Sequence, residues 1–138
     1  MEDNWVQYAK MDLQVARREL YVSEDTEEVL TPIVCFHAQQ AVEKVLKAYL
    51  IKNNIDFEKI HNLETLRKLC ATVDVAFEEL DFGDLNYYGV STRYPDGLME
   101  MPTFDKSKEL YELSEGITDF ILKKLDTLLP KDENDTKK

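Results

Sequence analysis

The sequence predicts an all-α fold, an antiparallel up-and-down bundle of four to five helices. Three observations carry the prediction. Apolar residues recur at three- and four-residue spacing along successive segments, the period of a helix with one buried face. The 138 residues include only four Gly and four Pro, too few breakers for a many-turned β fold. No segment shows the apolar–polar alternation of a half-buried strand.

The elements follow in order. Trp5, Ala9, Leu13, Ala16 and Leu20 form one stripe, which predicts a helix over 4–22 with Asp3 or Asn4 as its cap. "SEDTEE" at 23–28 reads as an acidic linker. Thr31 followed by Pro32 reads as an N-cap and a first-turn proline, opening a helix that runs to about Lys52. "NNIDFEKI" is a loop. Asn62 caps a short helix, "LETLRKLCATV". From Phe77 to about Thr92 the apolar content predicts a further helix, weakened by Gly83 and Gly89. Pro95-Asp96-Gly97 is a turn. Thr103 caps the last helix, whose stripe is Leu110, Leu113, Ile117, Phe120, Ile121, Leu125 and Leu128. Residues 1–130 are expected to form one helical domain, and 131–138 a polar, disordered tail.

Charge narrows the function. A net charge of −11 works against non-specific nucleic-acid binding, which needs an excess of Lys and Arg facing phosphate. No apolar run approaches the roughly 18 residues of a membrane span, and the acidic start is unlike a signal peptide. A cytoplasmic protein without a membrane partner is expected. Cys35 and Cys70 are then buried free thiols. Cys35 and His37 lie two apart on one helix and point in opposed directions, as do His61 and Cys70 nine apart, so no metal site is expected. No phosphate-binding glycine loop or nucleophile motif is present, and no cofactor is expected.

The second helix carries the densest cluster of functional side chains. At 100° per residue, His37, Gln39, Gln40, Glu43, Lys44 and Lys47 fall within an arc of roughly 160°, and His37, Gln40, Lys44 and Lys47 within about 80°. Ala38, Ala41, Val42, Val45, Leu46, Ala48 and Tyr49 take the other side. Two cations, an amide and an imidazole on one line suit a phosphate or a base edge. The same pattern also fits a solvated face on which Glu43 pairs with nearby lysines.

Three motifs in order, "CFHAQQAVEKVLKAYLI", "HNLETLRKL" and "YYGVSTRYPD", resemble the HEPN (higher eukaryote and prokaryote nucleotide-binding) domain over residues 4–128. The resemblance implies a helical homodimer whose partner is a nucleotide, an RNA or a nucleotidyltransferase, in a toxin–antitoxin or defence setting. Active members of that family are metal-independent ribonucleases. In them an Arg is followed four to six residues later by a His, and the pair assists attack of a ribose 2′-hydroxyl on the adjacent phosphate.

Arg93 stands at the corresponding place, but "YPDGLME" follows it and holds no histidine. The two histidines, His37 and His61, both lie upstream. The resemblance therefore implies a non-catalytic module, with a ribonuclease that uses a displaced His37 or His61 as the alternative. "YYGVSTRYPDG" reads as a helix end and turn that shapes the dimer cleft. Arg93 would there pair with one of the protein's own carboxylates, and Tyr87 and Tyr88 would be half-buried packing residues. The functional reading has Arg93 and Tyr94 hold a phosphate and a base.

Overall fold

The computed structural model describes residues 2–21, 25–88 and 101–128. Four α-helices pack together: α1 (Glu2–Tyr21), α2 (Thr31–Lys52), α3 (Leu63–Ala71) and α4 (Phe104–Leu128). Single 3-10 turns lie at Thr26–Glu28, Val75–Glu79 and Leu85–Tyr88. Among the described residues there is no strand, so the all-α bundle is as the sequence predicts.

α2 is the axis of the molecule. Its residues from Val34 to Leu50 are almost all buried, with Ala38, Ala41 and Ala48 fully enclosed. Alanines at these points remove side-chain bulk, so neighbouring helices approach from several sides. α1 lies antiparallel to α2, as the short connection between them dictates. Glu2 faces Lys52 at one end and the Glu19 carboxylate accepts from the Leu30 N–H (3.0 Å) at the other. α4 runs the same way as α2, because residues 53–103 carry the chain back to the starting end. Two buried hydroxyls hold that register. Thr31 Oγ1 donates to the Pro102 carbonyl and Ser114 Oγ to the Ala38 carbonyl, both at 2.6 Å.

Local chemistry explains the ends. Asn62 Oδ1 accepts from the Thr65 N–H (3.1 Å) and Thr103 Oγ1 from the Lys106 N–H (3.0 Å), so both caps form as expected. Two other expected caps do not. α1 already begins at Glu2, which places Asp3 and Asn4 inside its first turn. Leu30 occupies the N-cap of α2, and Thr31 sits inside the helix because its hydroxyl is committed to Pro102.

The helix expected from Phe77 is absent up to Tyr88. Instead Asp74 Oδ1 accepts from the Ala76 N–H and starts a 3-10 turn, Leu80 is extended, and Gly83 takes a positive φ of 53°. A Cβ at Gly83 would also stand 3.2 Å from a Leu113 methyl, so both backbone and space favour glycine there. Phe77 from this segment stacks between Tyr49 (4.5 Å between ring centroids) and Phe120 (5.7 Å), joining α2 to α4 through the core. Residues 89–92, the 95–97 turn, and the 131–138 tail lie outside the described residues.

Two lysines of α4 fasten the same segment. Lys106 pairs with Asp84 (2.6 Å) and Lys124 with Asp74 (2.8 Å). The Lys124 ammonium, helped by the Ala76 N–H, holds the Asp74 carboxyl below the usual carboxylate range. A lowered folded-state value contributes stability that is present above the unfolded value, near 3.9, and is lost as pH falls through the folded one. Asp74→Ala is therefore expected to cost about 1 kcal/mol at pH 7, the sum of a cap and a part-exposed ion pair. In urea titrations the difference from the parent should shrink as pH falls from 7 towards 3. A cost independent of pH would mean that the ionised carboxylate, as ion pair or as cap, is not what stabilises the segment.

Candidate functional site

The seam between α1 and α2 gathers the polar residues of the second helix. α1 presents Ala9, Asp12, Ala16 and Leu20 to the interior. Asp12 thus occupies a position on the apolar stripe that helical periodicity would assign to a hydrophobe. Its two oxygens have separate partners. Oδ1 lies 2.7 Å from His37 Nδ1, and Oδ2 accepts from Lys44 Nζ at 2.6 Å.

One turn further along α2, Glu43 does the same work. Its Oε2 accepts from Lys47 Nζ (2.8 Å) and lies 2.9 Å from His61 Nδ1, and its Oε1 accepts from Gln39 Nε2 (3.3 Å). Gln40 Nε2 donates in turn to Gln39 Oε1 (2.8 Å). The result is a polar network in two adjacent parts, one centred on Asp12 and one on Glu43.

Three properties define what this network can do. First, it is balanced. Asp12 and Glu43 offset Lys44 and Lys47, which leaves no net cation for a phosphate. Second, it is graded in exposure. The Lys47 side chain is buried against Trp5 and Phe57, its ammonium 5.6 and 5.4 Å from their ring centroids. His37 and Lys44 are each 25% exposed at the rim, where Lys44 also lies 5.7 Å from the Tyr8 ring. Third, the two histidines are held differently. The Asp12 oxygen facing His37 Nδ1 can only accept, so that nitrogen carries the proton and Nε2 is left open. His61 Nδ1 faces both an acceptor, Glu43 Oε2, and a donor, Lys47 Nζ at 3.2 Å. The His61 ring itself is 70% exposed.

The structure therefore brings together four of the six residues picked from sequence, His37, Gln40, Lys44 and Lys47. They do not form a solvated face, since α1 covers the stripe. Arg93 and Tyr94 lie outside the described residues. Of the carboxylates between Lys68 and Arg93 that could pair with that arginine, Asp74 and Asp84 already have α4 lysines. Tyr88 is buried and Tyr87 exposed, so only the former packs as expected. Burial pushes the Cys35 and Cys70 thiols up to about 12, consistent with enclosed free cysteines. Among the described residues no three His, Cys, Asp or Glu side chains converge as a metal would require.

Sequence reasoning missed Asp12 and the partnership of Glu43 with His61. Asp12 had a visible signal, an acid exactly in phase with Ala9, Ala16 and Leu20. His61 had none, because its position depends on how the 53–62 loop returns across α2.

An all-helical bundle around a paired polar seam is the class of protein defined here. Within that class the chain belongs to the HEPN domain family, whose model matches residues 3–125. At the family level it is a nucleotide- or RNA-related module. No curated protein and no solved structure matches the chain. Among the described residues no helix is long and apolar enough to cross a membrane.

Removing Asp12 tests the seam. Asp12→Ala leaves Lys44 and His37 without their acceptor in a mostly desolvated place, and is expected to cost about 2–3 kcal/mol in urea unfolding. A loss below roughly 0.5 kcal/mol, the size of an ordinary surface change, would mean that α1 does not cover the stripe.

Proposed function

We propose that this HEPN chain is a non-catalytic, homodimeric module in the cytoplasm that acts by binding, with a nucleotidyltransferase protein as its partner in a toxin–antitoxin or defence setting. The observation that carries this reading is the internal pairing of the α2 cations. Lys44 and Lys47 are held by Asp12 and Glu43. With those charges offset and a chain charge of −11, an RNA backbone meets little attraction along α2. A folded protein partner with a basic surface meets no such obstacle. The absence of a histidine after Arg93 supports the same reading, because the family's cleavage chemistry needs an imidazole there.

A bound nucleotide fits this proposal in two ways. Arg93 and Tyr94 are the proposed phosphate and base contacts of the segment after Tyr88. At the α2 stripe the proposed contacts are His37 and Lys44 at the rim, both held by Asp12, with Gln40 and Lys47 further along the same stripe.

One observation favours the alternative, a metal-independent ribonuclease. Asp12 orients His37 through Nδ1 and leaves Nε2 as a proton acceptor, the arrangement a general base needs. The two readings separate cleanly. Purified protein is expected to leave single-stranded RNA intact relative to a heat-denatured control. Co-purification from the native host, followed by mass spectrometry, is expected to recover a nucleotidyltransferase. RNA cleavage without metal, abolished by His37→Ala in protein that still folds, would reverse the assignment and make the chain an enzyme.

A further inference from the structure

The outward face of α1 is largely exposed although it is apolar at its centre, where the Lys44 ammonium also meets the Tyr8 ring at 5.7 Å. Tyr8, Met11 and Val15 are 58%, 53% and 41% exposed. They follow one another at spacings of three and four. Asn4 and Arg18 extend the same line in phase, so Asn4, Met11 and Arg18 repeat every seven residues, as do Tyr8 and Val15. That is the a/d seam of a short helical pair, about 21 Å long, with an apolar middle and polar ends. The adjoining face of α1, which holds Ala9, Asp12 and Ala16, is already spent on α2.

We infer that this seam is where a second copy of the chain docks, α1 against α1′, antiparallel about a two-fold axis through Met11. The inference rests on the homodimer reading above and adds the face and the direction.

The seam is complementary to itself only in that direction. Reversed upon itself, Met11 meets Met11, Asn4 meets Arg18, and Tyr8 comes within one residue of Val15 of the second copy, as an isologous contact requires. Charge selects the same orientation. The first turn of α1 holds Glu2 and Asp3, and its last turn Arg18 beside Arg17. An antiparallel pair sets each basic end against an acidic end and opposes the helix dipoles. A parallel pair would stack like charges at both ends. Glu2 is engaged by Lys52 at 3.9 Å, so exposed Asp3 is the nearer acceptor for the second copy's arginines. Beside Asn4 there is an open cavity of about 430 Å³, lined by Asn4, Trp5, Tyr8 and Lys44. Two aromatic rings and the Lys44 ammonium wall it, so it offers the Arg18 of the opposing copy apolar contact beside Asn4 rather than a free cation site.

Cysteine cross-linking tests both face and direction. Cys35 and Cys70 are buried, so an introduced thiol is the reactive one. Met11→Cys sits on the axis, within the Cα separation a disulfide spans. Val15→Cys is displaced from its own symmetry mate by about 12 Å along the helix and cannot bridge. Under mild oxidation of micromolar protein, Met11→Cys is expected to form covalent dimer at least tenfold faster than Val15→Cys. Both positions are exposed, so neither change threatens folding. Light scattering on the parent protein accompanies the test. A dimer whose Met11→Cys variant does not cross-link overturns the α1 face and leaves the homodimer reading standing. Equal cross-linking at both positions overturns the antiparallel direction in favour of a parallel pair. A monomer overturns the inference and the homodimer reading together.

Discussion

A helix enclosed on all sides cannot carry unpaired charge, and α2 carries a line of it. Lys47 and Glu43 are buried in the middle of the molecule, and Lys44 is mostly covered. An unpaired ammonium in such a place costs several kcal/mol, so each must find an acceptor within the fold. Glu43 supplies one from the same helix, one turn away. Asp12 supplies the other from α1, and that choice sets the pairing of the two helices. An apolar stripe alone would allow α1 to slide along α2 by a turn at modest cost. A carboxylate that must meet both His37 and Lys44 does not. The antiparallel hairpin of α1 and α2 is thus placed by electrostatics as well as by packing, and the rest of the bundle is laid around it.

The same pairing bears on what the family resemblance means for this chain. A basic stripe and a nucleotide-related fold together invite the idea of a phosphate site. Paired, the stripe becomes a structural device whose charges cancel before any ligand arrives. The residual polarity is confined to the rim, where His37 and Lys44 reach solvent. Binding there would require the ligand to compete with Asp12 for a 2.6 Å ion pair. A phosphate site on α2 would thus work against the ion pair that places α1.

What could be read from sequence follows from which interactions are local. The apolar stripes of α1 and α4 were legible because they depend only on helical period. The caps at Asn62 and Thr103 were legible because the capping side chain and its N–H lie three residues apart. Thr31 had the same residue type in the same pattern and proved different, since a carbonyl far along the chain, that of Pro102, competes for its hydroxyl. The segment after Phe77 has the composition of a helix. Tertiary demands replace that helix with 3-10 turns, among them the aromatic stack on Tyr49 and Phe120 and the ion pairs to α4. The α2 stripe was located correctly on its helix, yet a single-helix projection cannot say whether water or another helix faces it. Only the acid at position 12, out of character with its neighbours, pointed to the answer.

α1 divides two tasks between its faces, and the division explains its composition. Its inner face needs small residues, Ala9 and Ala16, for close approach to the bundle, and one acid for charge balance. Its outer face needs neither, and a helix with only that duty would be polar there. Tyr8, Met11 and Val15 are therefore the anomaly of this surface, because each exposes much of its apolar area to water. Single exposed hydrophobes are ordinary, but three in heptad phase on one helix form a continuous strip. The two faces are also coupled. Any change at Asp12 that lets α1 rotate about its axis moves the outer strip by the same angle, since one rigid helix carries both. The electrostatic pairing inside the molecule thus sets the orientation of the surface it offers outside.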